Sequence, residues 1–189
     1  MTVASLLAAL VLVSAAHAGS YILDPIHTAP RFEIRHLALF TVSGRFSQSQ
    51  GRITLDRDKG LDSVDATIQV NSLNTGSAMR DEDLLGPLFF DVARFPTMSF
   101  QSRRVTYLNK ETAMVEGSFT LHGVTRPLSL HVTHIHCSPS SLNGKQVCDF
   151  DSWAVIKRSD FGIKAYIPLI ADKVKLRISG EAIEDEDAP

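Results

Sequence analysis

The 189 residues carry 19 Lys plus Arg against 21 Asp plus Glu, a net charge of −2, with 44% apolar and 21% charged side chains. That composition excludes disorder, collagen and a coiled coil, and the lack of a basic excess argues against a nucleic-acid partner. Two cysteines are too few for a Cys-rich zinc fold or a disulfide-dense mini-protein.

Residues 3–16, VASLLAALVLVSAA, are apolar almost throughout, and Ala16-His17-Ala18 places an A-x-A pattern before Gly19. The run is shorter than the ~20 residues a membrane-spanning helix needs. It reads as a secretory signal peptide, although no Lys or Arg precedes it. The sequence thus divides into a signal peptide, 1–18, and one domain, 19–189, in the periplasm or secreted.

Period-two alternation dominates the domain. From 31 to 46, Phe32, Ile34, His36, Phe40, Val42 and Phe46 share one parity, which reads as one long strand bent at Gly44. Shorter alternating runs follow at 52–56 and 64–70. Residues 77–85, SAMRDEDLL, read as a helix with Thr75 or Ser77 as its cap and Gly86-Pro87 as its stop. Leu88, Phe89, Phe90 and Phe95 then make an aromatic loop. In 97–107 the apolar parity switches from Met98 and Phe100 to Val105 and Tyr107, which predicts a bulge near Arg103-Arg104. Strand signals continue over 113–121, 124–136, 150–158 and 174–182, and the acidic tail Glu184–Asp187 reads as frayed. About eight strands with one apolar face each imply an all-β, antiparallel, eight-stranded barrel, with the helix and aromatic loop near one end.

The sequence contains no G-x-S-x-G, G-x-G-x-x-G, Walker loop, H-E-x-x-H or C-x-x-C. His134-x-His136 has a spacing suited to zinc, but without a third ligand it reads as a strand end or bulge, and no metal is expected. Cys137 and Cys148 flank a Ser/Pro/Asn-Gly loop, and export to an oxidising compartment would join them as a disulfide. His36 sits on an apolar face. It contacts either a backbone carbonyl or the polar head of a ligand in an otherwise apolar cavity. Parity gives the inward set as Phe32, Ile34, His36, Phe40, Phe46, Phe100 and Phe119, with Phe89 and Phe90 over one end.

Several motifs carry a resemblance. Tyr21-x-x-Asp24-Pro25-x-His27-Thr28, Phe32-x-Ile34-x-His36-Leu37, Ser72-Leu73-x-Thr75-Gly76 and Phe89-Phe90-Asp91-Val92 occur in order. Leu121-His122-Gly123-Val124-Thr125-Arg126-Pro127-Leu128 and Arg158-Ser159-Asp160-Phe161-Gly162-Ile163 follow. Together they resemble the YceI family across nearly the whole domain. The resemblance implies an extended lipocalin-like barrel with an apolar tunnel for a polyisoprenoid, an isoprenoid quinone or a fatty amide. It implies a periplasmic carrier and no enzyme, and no cofactor is expected. It adds Arg158, Asp160 and Phe161 to the ligand-binding candidates. Transient membrane contact and a homodimer are compatible with it. The alternatives are an enzyme acting on such a lipid, with titratable groups at the cavity mouth, and an interaction module with a filled barrel.

Overall fold

Residues 19–56 and 60–187 are described by a computed structural model, so the expected signal peptide lies outside the described residues. The first seven elements are β1 (Gly19–Leu23), β2 (Ala29–His36), β3 (Phe40–Phe46), β4 (Ser49–Leu55), β5 (Ser63–Gln69), β6 (Leu73–Asn74) and α1 (Ala78–Leu85). The remaining strands are β7 (Thr97–Tyr107), β8 (Ala113–Leu121), β9 (Val124–Pro139), β10 (Gln146–Lys157) and β11 (Ile170–Glu184). Eight strands close an antiparallel barrel in the order β1-β4-β5-β7-β8-β9-β10-β11, with β11 returning to β1.

The barrel has a second tier. β11 is 15 residues long and meets two partners in succession along one edge. Ala182 to Glu184 pair with β1, and Ile170 to Ser179 pair with β2. β3 continues from β2, and the short β6 pairs with β3. The chain therefore jogs between Leu23 and Ala29, and the wall above the jog is built from β10, β11, β2, β3 and β6. The β5–β7 ladder ends at Gln69↔Thr97. The wall beyond that pair is left to the segment 75–96.

The alternating residues point as their parity requires. Val115, Phe119 and Leu121 of β8 are buried, as are Ala154, Ile156 and Val174 on β10 and β11. A bulge between Ser102 and Arg104 switches the parity of β7. A second register shift, between Asp151 and Ser152, does the same where β10 meets β9. Ile135 consequently lines the interior, while His134 turns outward and its Nε2 lies 2.6 Å from Asp149 Oδ2. Cys137 and Cys148 are directly opposed across β9 and β10 and form a disulfide.

Three sequence expectations need correction. The run 31–46 is a hairpin and not one bent strand. Leu37 and Ala38 make the turn with φ of 52° and 56°, and His36 pairs with Phe40. Because the paired residues differ by an even number, the apolar parity passes through the turn unbroken. Gly44 is there for another reason: a Cβ on it would lie 2.4 Å from the Phe32 ring. Neither Thr75 nor Ser77 caps α1 with its side chain. Thr75 instead donates to Asp81 from its backbone N–H and its hydroxyl, at 2.8 and 2.6 Å. The acidic tail is not frayed, because Asp185 N–H donates to Ser20 O at 2.7 Å and its carboxylate meets Arg52 at 2.5 Å.

The jog is held by a small polar clasp. His27 Nδ1 lies 2.6 Å from Asp24 Oδ2 and 3.6 Å from Glu181 Oε2. The hydrogen bond to Asp24 raises the His27 pKa, aided by the charges of Asp24 and Glu181. Burial alone would raise the Asp24 carboxyl, but its hydrogen bonds with His27 and the Ile26 N–H outweigh burial and lower it. A raised imidazole contributes its full stabilisation below its unfolded value of ~6.5 and loses it as pH rises through the folded value. A depressed carboxyl contributes above ~3.9 and loses it as pH falls through the folded value. His27→Gln should therefore lower Tm at about pH 5 more than at about pH 8.5. Thermal denaturation at both values checks this, and an equal loss at both would remove the charge of His27 from the account.

Candidate functional site

A cavity of about 660 Å³ occupies the upper tier. This lies within the ~300–1,000 Å³ typical of small-molecule sites. Its back wall is β2, β3 and β11, through Phe32, Ile34, Val42, Val174 and Leu176. Its floor is Phe46, Met98, Phe119 and Leu176, which also line a smaller void of about 150 Å³ in the closed ring below. The barrel is thus nearly filled beneath the floor and open above it.

The front wall is the segment 75–96. The Thr75–Asp81 bonds and Arg80 Nε donating to Thr75 Oγ1 at 2.9 Å fix the start of α1. After Leu85 the chain folds back on the helix, with Phe90 N–H on Leu84 O and Val92 N–H on Leu85 O. This return presses Phe90 edge-on against Phe46, with centroids 5.8 Å apart. Phe89 reaches across to Tyr166 at 6.1 Å. Leu88 and Tyr166 line the cavity and are also exposed, so the mouth opens between the lid and the loop 162–170.

That loop has no regular ladder and depends on Arg158. The side chain is buried and lines the cavity. Its Nε donates to Ala171 O at 2.9 Å and Nη1 to Ile163 O at 3.2 Å. Nη2 donates to Ala165 O at 2.8 Å and to Ile170 O at 3.0 Å. Four of its N–H bonds are therefore spent on main-chain carbonyls. Burial lowers its pKa, opposed by the nearby Asp172 carboxylate. Burial would raise Asp172, but bonds from the Ser159 N–H and hydroxyl, with the charges of Arg158 and Lys157, leave it lowered.

His36 is the contrasting polar group. It lines the cavity, stacks on Phe40 at 5.5 Å, and its buried Nδ1 has no hydrogen-bond partner. The backbone carbonyl that the sequence offered as one alternative is not in contact with it. Arg80, Glu82 and Asp83 of α1 and Tyr166 of the loop supply the remaining polar side chains.

The structure brings Phe32, Ile34, His36, Phe46, Phe89, Phe90, Phe119 and Arg158 into this one wall. Phe100 lines the lower void instead. Three candidates lie outside both linings. Phe40 is exposed because the turn at Leu37–Leu39 lifts it to the hairpin tip. Phe161 is buried behind the wall, edge-on to Phe119 at 5.6 Å. Asp160 is exposed, and its carbonyl accepts from Arg126 Nε at 3.3 Å. Sequence reasoning missed Tyr166, which lies on irregular backbone without a periodic signal, and Ile170, which starts β11 ahead of the alternating run 174–182. Ile156, Val174 and Leu176 carried the correct parity and could have been included.

A family model described as the YceI-like domain matches residues 21–182. A UPF0312 protein of Pseudomonas aeruginosa (strain LESB58) is 34% identical over 158 residues, covering 83% of this chain and 82% of that protein. Protein YceI of Salmonella newport is 32% identical over 161 residues, 85% of this chain and 83% of its own length. The solved YCEI protein of Campylobacter jejuni superimposes with a TM-score of 0.71 at 30% identity, over 81% of this chain and 91% of that one. A polyisoprenoid binding domain from Saccharophagus degradans shares the fold, with a TM-score of 0.65 at 18% identity over 89% and 100% of the two chains.

Replacing Arg158 by Met should strand four carbonyls at the cavity edge and lower stability by about 3 kcal/mol. Arg158→Lys should restore little, since one ammonium has three donors and no planar fork. Urea unfolding measures the loss, and amide exchange should show it concentrated in 162–171. Protection there equal to wild type would contradict the assignment.

Proposed function

The chain belongs to the YceI-like family, and from its cavity we propose that it is a carrier that holds one long amphiphilic lipid: a polyisoprenoid, an isoprenoid quinone or a fatty amide. The single observation that carries this reading is the 660 Å³ apolar chamber, left open above a packed floor and fronted by a lid. The polyisoprenoid binding of the Saccharophagus degradans domain supports the ligand class. At ~0.3 kcal/mol per heavy atom, each five-carbon unit contributes about 1.5 kcal/mol, so affinity accumulates with chain length until the floor is reached.

Holding is favoured over transforming by how the polar groups are used. Arg158 is committed to main-chain carbonyls, while His36 Nδ1, near the mouth, is buried without a partner. One imidazole in an apolar chamber can orient a head group. The apolar run 3–16 and the Cys137–Cys148 disulfide support a location in the periplasm or outside the cell.

Native mass spectrometry with lipid extraction of the purified protein tests the carrier reading directly. A bound species with an isoprenoid or acyl mass is the expected result. A protein that takes up no such lipid, even on incubation with one, would remove it. His36→Phe should weaken a short-chain quinone about tenfold, one lost hydrogen bond of roughly 1.4 kcal/mol, and leave a head-group-free terpene unchanged. Equal losses for both ligands would mean that the imidazole does not read the head.

A further inference from the structure

We propose that the two apolar tips beside the cavity mouth, Leu37–Phe40 and Tyr166–Leu169, dock the protein on an anionic lipid bilayer, so that the cavity fills from the membrane; this rests on the carrier reading above. The hairpin tip reads Leu-Ala-Leu-Phe and the loop tip Tyr-Ile-Pro-Leu, eight consecutive-by-fours residues of which every one is exposed. Leu39 is 80% exposed and Leu169 57%. Single exposed apolar residues are ordinary, but two contiguous runs side by side form a patch of the kind that marks an interaction surface.

The two runs form one platform. Leu37 N–H donates to Leu169 O at 2.7 Å, and His36 pairs with Ile170. Each tip is also braced from within. Arg35 Nη2 donates to Ala38 O at 2.7 Å, and Arg158 holds the carbonyls of Ala165 and Ile170. Tyr166 belongs both to the platform and to the cavity lining, and His36 lies directly behind the hairpin tip. The platform is therefore one lip of the mouth.

Charge selects the occupant. Residues 34–42 and 161–171 contain Arg35 and Lys164 and no acidic residue. Both cations are exposed. The opposite lip, on α1, carries Glu82 and Asp83 with Arg80, whose guanidinium is turned onto Thr75, so the lip is acidic on balance. An apolar tip flanked by cations suits the headgroup boundary of an anionic leaflet, whose negative potential attracts basic side chains close to it. The acidic lip is repelled by the same surface, which tilts the mouth open above the bilayer and lets a lipid tail pass between Tyr166 and Leu88.

Flotation with phosphatidylcholine vesicles, with and without phosphatidylglycerol, tests the proposal. The comparison is wild type against the triple variant Leu37→Asn, Leu39→Ser, Leu169→Ser. All three side chains are exposed and lie outside the cavity lining, and Asn tolerates the positive φ of position 37. Wild type should bind the anionic vesicles more tightly than the neutral ones, and less so in high salt. The triple variant should lose at least about tenfold in vesicle affinity. Arg35→Gln with Lys164→Gln should abolish the preference for phosphatidylglycerol. Uptake of phenylnaphthylamine from solution reports the cavity independently and should be equal in wild type and the triple variant. Wild type that fills with this probe but ignores both vesicle types overturns the docking proposal and leaves the carrier reading standing. Failure of both proteins to take up the probe counts against the carrier reading instead. Tip-dependent dimerisation by sedimentation, without vesicle binding, would assign the platform to a second copy of the chain and overturn the proposal.

Discussion

The step between β1 and β2 is the constraint on which the rest of the molecule depends. Strand β11 has one edge to offer, and two short strands share it in succession. For the chain to change level, Thr28 must be driven against β11 opposite Gly180, where a Cβ would fall 2.4 Å from its hydroxyl. Thr28 is 1% exposed, donates to Glu181 O, and accepts from Ser49 through its own carbonyl. Each polar atom of the buried crossing thus has a partner, as an interior site demands. The same level is where β3 gives way to β4 and where β5 leaves β7. The break in one strand position propagates round the wall, and the opening it leaves is the space that α1 and the aromatic loop cover.

Two halves with different physics result. Below the jog, Tyr21, Leu23, Cys148 and Ala182 pack a small core. The disulfide ties the adjacent strands, and the remaining void is about 150 Å³. Above it, the side chains of Phe32, Phe46 and Phe119 pack sideways against other rings and leave the chamber between them unfilled. An apolar chamber forgoes dispersion contacts that a filled core would have. The filled half is what allows the open half to exist in a single stable domain.

How far the sequence disclosed this varies with where each feature gets its order. The strands were legible because half-buried sheet writes its period directly into the side chains, and 113–121 coincides with β8 residue for residue. The bulge at Arg103-Arg104 was legible for the same reason, as a flip of parity; near Ile135 the sequence left a strand end or a bulge open, and β9 runs on through a bulge to Pro139. The β2–β3 turn was not, since it is made by Leu37 and Ala38 at positive φ without the Gly, Asn or Asp that usually announces such a turn. The loop 162–170 was invisible too. Its order comes from one guanidinium, on the turn after β10, reaching the carbonyls of Ile163, Ala165, Ile170 and Ala171, and no periodic pattern encodes that. Asp160 illustrates the converse: a titratable residue inside a matching motif proved to face solvent, because the short turn after β10 directs Arg158 and Phe161 inward and leaves Asp160 outside.

Arg158 and His36 together give the chamber a direction. A buried guanidinium is tolerable when its donors are matched, and here the matching carbonyls belong to the loop that forms one side of the mouth. Arg158 is thereby spent on shape. His36 is left with an unmatched buried nitrogen at the level of the mouth, while the floor of Phe46, Met98, Phe119 and Leu176 carries no hydrogen-bonding side chain. An amphiphile entering this space satisfies both ends in one orientation, with its head toward His36 and its tail toward the floor. The reverse orientation buries a polar head against hydrocarbon and leaves the imidazole unpaired, and each of those costs about 1–3 kcal/mol. On the proposed function, the same division of the barrel that creates the chamber would set the orientation of an amphiphile held in it.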